Sequence, residues 1–325
     1  MEKQALLRAF ERVGQVVDQK SPLFQIKCAR WEANRLIGTN LQAVIDTELE
    51  SIGGPCLVNP VEMLAKLRAF GDCSEVSVVR KDGSLVISSG HRKVTVQVSE
   101  AADFPSLPKD EDKARTYHGV TLPLKCVLPA VSKDETRPHM AQVRVDRHHV
   151  VATDGHRIHA HAIDVGFTCS IPTRVAKILD ADEQDWTVSR SRVTVGDLTW
   201  IQPSEAFPPW EQVVPKLCTF EIACSREHAL TAVKAVITAD SGGAQRAKMS
   251  IGDGTVSLST SAAEDVWDAD TGGPRKLELG VNAGYLLDAL QCCPGSLVVI
   301  RLGGECDPIH IVSEAFQAVV MPCRI

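Results

Sequence analysis

Three markers recur in the same order along the chain, at intervals the size of a domain. A helix-start signal stands at Asn59, Ile171 and Asn282, 112 and 111 residues apart. A Ser-led closing segment stands at Ser99, Ser204 and Ser313, 105 and 109 residues apart. Polar turns at Gly38-Thr39-Asn40 and Ala152-Thr153-Asp154 lie 114 residues apart. Solenoids and propellers repeat every ~20–50 residues, so this spacing predicts three tandem copies of one α+β unit instead. Each copy reads as two helices and several antiparallel strands.

In the first copy Leu6, Leu7, Phe10, Val13 and Val17 form a helical stripe over residues 5–17. Asn59-Pro60 opens a second helix, residues 61–70, with Pro suited to the first turn. Residues 24–49 alternate as two strands, and strands follow at 75–80, 84–89 and 93–98. The second copy offers a short helix over 124–133, strands at 142–146 and 149–153, and a helix over 173–179. The third offers helices over 226–238 and 283–290 and a closing strand to Ile325. The charge run at residues 109–113 reads as a linker. The domains are then 1–113, 114–217 and 218–325.

Composition removes several function classes. A chain of 325 residues suits two or three domains. Its start has no apolar core of a signal peptide, and no apolar run approaches a membrane span. The eleven Cys are scattered without a CxxC pair, which fits buried free thiols in a reducing cytoplasm. A formal charge of −6 argues against coating nucleic acid by bulk attraction. Any such contact needs a local basic face. The outer faces of the helices provide one, with Arg8, Arg12, Lys66, Arg68, Lys125, Lys133, Arg174, Lys177, Arg226 and Lys234.

The densest stretch for function runs from Val150 to His161. Asp154-Gly155 sets a tight turn after two β-branched residues. Arg157, His159 and His161 then alternate with Ile158, Ala160 and Ala162, a strand with one apolar face. The plainest reading is an ordinary hairpin whose His residues sit on the solvent face. A second makes Asp154, His156, His159 and His161 a metal or acid–base set, and the chain a metal-dependent hydrolase built on segment 148–161. No HExxH or spaced Cys/His signature accompanies it.

The third reading is a resemblance. Val151-Ala152-Thr153-Asp154-Gly155-His156-Arg157-Ile158 is similar to the partner-binding corner of bacterial DNA sliding clamps, the β subunit of DNA polymerase III. Residues 38–42 (GTNLQ), 101–107 (AADFPSL), 207–215 (FPPWEQVVP) and 318–325 (AVVMPCRI) resemble further clamp motifs in the right order. The resemblance implies three processivity-fold domains per chain, in a head-to-tail homodimer. It implies a ring with helices inside and sheets outside, sliding on double-stranded DNA without enzymatic activity or cofactor. The chain departs from the family at Ser21-Pro22-Leu23-Phe24, at Pro138-His139 and at Cys323, and it is short. A divergent clamp of phage, plasmid or second-copy type is the expectation.

Site residues follow from the same resemblance. A pocket for short peptides of polymerase and clamp-loader subunits would take Met140, Thr153, Gly155, His156, Arg157 and Ile158 from the corner. Pro208 and Val213 would come from the second closing segment, and Val319, Met321, Pro322, Cys323 and Arg324 from the tail. His156 and Arg157 would offer donors at the rim. DNA would meet Arg8, Lys20, Lys125, Arg137, His139, Arg174 and Lys234. The dimer joint would set His91, Lys93, Val94 and Val96 against Val236, Ile237, Glu264 and Asp265.

Overall fold

The computed structural model describes residues 1–108, 112–134, 136–179, 182–240, 242, 246–272 and 276–324. Most of the expected linker run, residues 109–111, lies outside them, as does Ile325. The chain divides into two compact units. One is Met1–Val120 with Ile178–Gln202; the other is Thr121–Lys177 with the residues from Pro203 onward. The second sequence repeat is therefore shared, each unit taking part of its strands.

The first unit has helices α1 (Lys3–Gly14) and α2 (Pro60–Arg68). Its antiparallel eight-stranded sheet runs Cys56–Val58, Ala29–Glu32, Arg35–Thr39, Ala43–Glu48, Leu198–Ile201, Arg192–Val195, Gln184–Val188, Arg115–Val120. A three-stranded sheet, Ser77–Lys81, Ser84–Ser89 and Arg92–Gln97, stands apart from it. The stripe on α1 buries Leu6, Phe10 and Val13 completely. The Phe10 ring meets Trp31 edge-on at 5.6 Å. Gly14 ends α1, so Val17 lies beyond the helix that its spacing suggested. The Asn59 side chain caps α2 by accepting from the Val61 and Glu62 amides. Residues 24–49 make three strands rather than two. Ala33 and Asn34, at φ +45° and +63°, form a two-residue turn, which Asn34 suits and Ala33 does not announce.

The second unit has α3 (Leu124–Val127), α4 (Thr173–Ala176), α5 (Arg226–Ala239) and α6 (Ala283–Cys292). Twelve antiparallel strands follow one another in a single sheet: Thr168–Pro172, Gln142–Asp146, His149–Thr153, Arg157–Ala162, Phe316–Val320, Ile309–Ser313, Leu297–Leu302, Phe220–Ser225, Glu264–Asp270, Thr255–Ser259, Ala247–Gly252, Leu277–Val281. α5 and α6 cover part of it with fully buried Ala229, Val233, Val236, Leu286 and Leu290. α3 and α4 are shorter than their patterns predict. Leu128–Ala130 tightens to a 3-10 turn around Pro129, and α4 starts on Pro172 without a side-chain cap.

One device recurs, and it also closes the turn at Asp146, which accepts from the amides of His148 and His149. Asn40 accepts from the amides of Gln42 and Ala43, Asp154 from those of His156 and Arg157, and Thr260 from those of Ala262 and Ala263. Each side chain thus turns the chain between two paired strands. The Ser-led marker behaves differently. Ser99 pairs with Leu57 beyond a strand end, whereas Ser313-Glu314 is a hairpin turn inside a strand pair. The third occurrence is not the structural counterpart of the first.

Candidate functional site

The hairpin corner is locked by its own side chains. Thr153 Oγ1 donates to the Arg157 carbonyl at 2.7 Å and accepts from the Gly155 amide at 3.1 Å. Asp154 Oδ2 takes the Arg157 Nε–H at 3.0 Å. Gly155 sits at φ +89°, and a Cβ there would lie 3.3 Å from Arg137 Nη1 and 3.6 Å from Met140 Sδ. The matching residue of the first-copy turn, Leu41, tolerates φ +74°. The positive φ, with the Arg137 and Met140 side chains close by, calls for glycine at Gly155.

The C-terminal strand lies directly against this corner. Ile158 pairs with Val319 and Arg157 with Val320, and the Met321 amide donates to the His156 carbonyl at 2.9 Å. Residues 207–214 pack across the pair, with Trp210 buried on Val151, Ile158, Ala160 and Val319. Together these segments enclose a cavity of about 220 Å³. Met140, Thr153, Gly155, Arg157, Ile158, Pro208, Val213, Val319 and Met321 line it. Pro209, Trp210 and Gln212 line it too and were missed; the aromatic within a Pro-Pro-Trp run was the available signal. His156 and Arg324 are exposed, and neither they nor half-buried Pro322 and Cys323 reach the cavity wall. Cys323 is tied elsewhere, its amide donating to the Gly280 carbonyl at 2.9 Å. The wall is apolar apart from Thr153, Gln212 and Arg157. Val213 and Met321 are exposed at its mouth, as an anchor site for an apolar side chain requires.

Arg157 is not a rim donor. Its side chain is 8% exposed, and Nη1 meets Asp288 Oδ2 at 2.5 Å. Nη2 donates to the Pro129 carbonyl, and the guanidinium lies 4.3 Å from the Tyr285 ring centre. The hydrolase reading also fails on geometry. His159 is fully buried, its Nδ1–H donating to the Cys126 carbonyl at 2.9 Å, and burial pushes its pKa down to about 4. Asp154 serves the turn and Arg157. Among the described residues no group of three or more His, Cys, Asp or Glu could hold a metal ion. The one-apolar-face expectation is corrected as well. Residues 157–160 are all buried, because this central strand is covered on both faces.

The basic residues assigned to DNA spread over both units. Arg8 is exposed near Glu2 at 3.7 Å, and Lys20 is exposed. In the second unit Lys125, Arg174 and Lys234 are exposed and His139 is half-buried. Arg137 pairs with Asp134 at 2.8 Å and stands over Gly155 at the cavity. Arg12, counted on the basic helix face, is turned to Asp197 at 2.7 Å.

Of the residues assigned to the dimer joint, His91, Lys93 and Glu264 are exposed, and Val94, Ile237 and Asp265 are half-buried. Val96 and Val236 are corrections: both are fully buried in their own cores and offer a partner nothing. Val266, unforeseen, is 52% exposed on the strand that carries Glu264. Arg92–Gln97 is an edge strand of its sheet. Not all thiols are buried: Cys218 and Cys306 are exposed. No helix among the described residues is long and apolar enough to cross a membrane.

No family model matches the sequence. The β sliding clamp of Escherichia coli K12 is 23% identical over 324 residues, covering 86% of this chain and 87% of its own. That of Proteus mirabilis is 22% identical over 293 residues, covering 79% and 78%. A Caulobacter crescentus β sliding clamp structure superposes with a TM-score of 0.88 at 23% identity, spanning 100% of this chain and 98% of its own. A Pseudomonas aeruginosa DNA polymerase sliding clamp gives 0.85 at 20% identity, spanning 100% and 99%. The fold is that of the bacterial sliding clamps. A sliding-clamp fold of antiparallel sheets and few helices thus accounts for the whole chain, with an apolar cavity between hairpin and C-terminal strand.

Proposed function

We propose that the chain is a DNA polymerase processivity factor, a non-enzymatic clamp. Two copies close head to tail around duplex DNA in the cytoplasm. The observation that carries this is the clamp fold over the full length, coupled to an apolar cavity built from the three segments whose sequences resemble clamp motifs. A closed ring holds DNA by topology, so sequence-blind phosphate contacts suffice. Arg8, Lys20, Lys125, Arg174 and Lys234 are the candidate contacts. The cavity takes a short segment of polymerase or loader subunits carrying Leu or Phe, with Met140 and Met321 adapting to different side chains. The recurrence of helix starts at Asn59, Ile171 and Asn282 supports three clamp domains, 1–113, 114–217 and 218–325. Identities near one fifth support a divergent clamp.

The test is retention on DNA. Assembled on a nicked circular plasmid with a clamp loader and ATP, the protein stays bound through gel filtration in high salt. Linearising the plasmid releases it. Equal loss from circular and linear DNA would leave a simple surface binder and overturn the clamp.

A further inference from the structure

Arg157 brings a buried cation to the cavity wall, and the structure shows how that cation is held. Asp154, its neighbour in the turn, accepts from Nε, but Nη1 points the other way, to Asp288 on α6, 131 residues distant in sequence. Tyr285, one turn earlier on α6, lies under the guanidinium. Asp288 lines no part of the cavity, and its side chain is 35% exposed on the far side of Arg157.

We infer that Asp288 is a positioning residue for the peptide pocket, a latch on α6 that fixes Arg157 as a wall of a cavity shared by the second and third repeats. The inference rests on the cavity being a peptide pocket. Asp154 alone balances the charge of Arg157. With the Pro129 carbonyl on Nη2 it holds one side of the guanidinium, and among the described contacts Asp288 is the group that takes Nη1 on the side facing α6. Arg157 is itself a cavity-lining residue, so any movement of a guanidinium freed from Asp288 changes the cavity wall. Bonds from all three nitrogens, to Asp154, Pro129 and Asp288, remove that motion. The pocket's shape is then set from α6, and the corner and α6 move as one body.

A double-mutant cycle on the full chain tests this, with Asp288→Asn made in the native and in the Arg157→Gln background. Two readouts are taken. The first is amide hydrogen exchange of residues 154–158 without peptide. The second is affinity for a labelled pentapeptide carrying Leu and Phe. In the native background Asp288→Asn speeds exchange at the corner and weakens the peptide about tenfold. In the Arg157→Gln background it adds nothing, and Asp288→Glu restores most of the native behaviour. Unchanged exchange at the corner, or equal effects in both backgrounds, overturns the latch. A native protein that ignores the peptide overturns the pocket reading instead, and the exchange data still decide whether Asp288 holds the corner.

Discussion

His159 is held neutral by what surrounds it. Its Nδ1–H is spent on the Cys126 carbonyl, its Nε2 has no hydrogen-bond partner, and Phe316 packs edge-on at 5.4 Å. A proton on Nε2 would be buried without an acceptor, which is why burial dominates and the pKa falls from 6.5 to about 4. The unfolded chain binds that proton near the ordinary value; the folded chain does not. Stability from this residue is therefore complete above pH 6.5 and is lost as pH falls toward 4, by up to about 3 kcal/mol. His310 is shifted in the same direction by burial and adds to the slope. Urea unfolding at pH 6.5 and pH 5 checks it. His159→Gln, with nothing to protonate, should lose about 2 kcal/mol less than the native chain over that interval. An unaltered pH slope would assign the acid sensitivity to other groups.

Among elements, the C-terminal strand combines two tasks that can be separated. Phe316–Val320 is paired on both sides, to Ile309–Ser313 and to Arg157–Ala162, and belongs to the core. The residues after it contribute Met321 to the cavity and two backbone bonds, to His156 and Gly280. Deleting residues 321–325 should leave the melting temperature within a few degrees of native, since the sheet is untouched, and lower peptide affinity at least about tenfold. Calorimetry on both proteins reads the two effects. Undiminished peptide affinity would move the site elsewhere. This element was readable from sequence because its apolar run ends the chain and because Asp-Gly turns are explicit. Other elements were not. The Ala33-Asn34 turn lacks glycine, so two strands read as one. The repeated Ser-Glu-Ala string at Ser313 imitates a closing segment that the fold places as a hairpin turn. The polar face of the strand holding His159 looked solvated, because alternation reports chemistry and cannot report that α3 lies over it. Arg157 was misplaced at the rim for the same reason: its partner Asp288 is remote in sequence.

At the scale of the molecule, the proposed ring depends on a joint made twice, so any change there counts twice. With Val96 and Val236 committed to their own cores, that joint relies on the open edge of Arg92–Gln97, on half-buried Val94, on exposed Val266, and on charge. His91 and Lys93 against Glu264 and Asp265 give the charges a complementary arrangement. Exposed pairs are individually weak. Reversing one sign, however, sets like charges along a strand edge that must pair closely. Lys93→Glu should therefore weaken each joint roughly fivefold and the ring roughly 25-fold, shifting a dimer at micromolar concentration toward monomer. Glu264→Lys alone should do the same, and the two substitutions together should restore the dimer, because the charges again oppose. Sedimentation equilibrium measures each variant, and added salt should narrow the differences between them as screening removes both attraction and repulsion. If Lys93→Glu leaves the dimer intact, these strands are not the joint. A native chain that sediments as a monomer removes the ring altogether, because the proposed ring is closed by two joints between two copies.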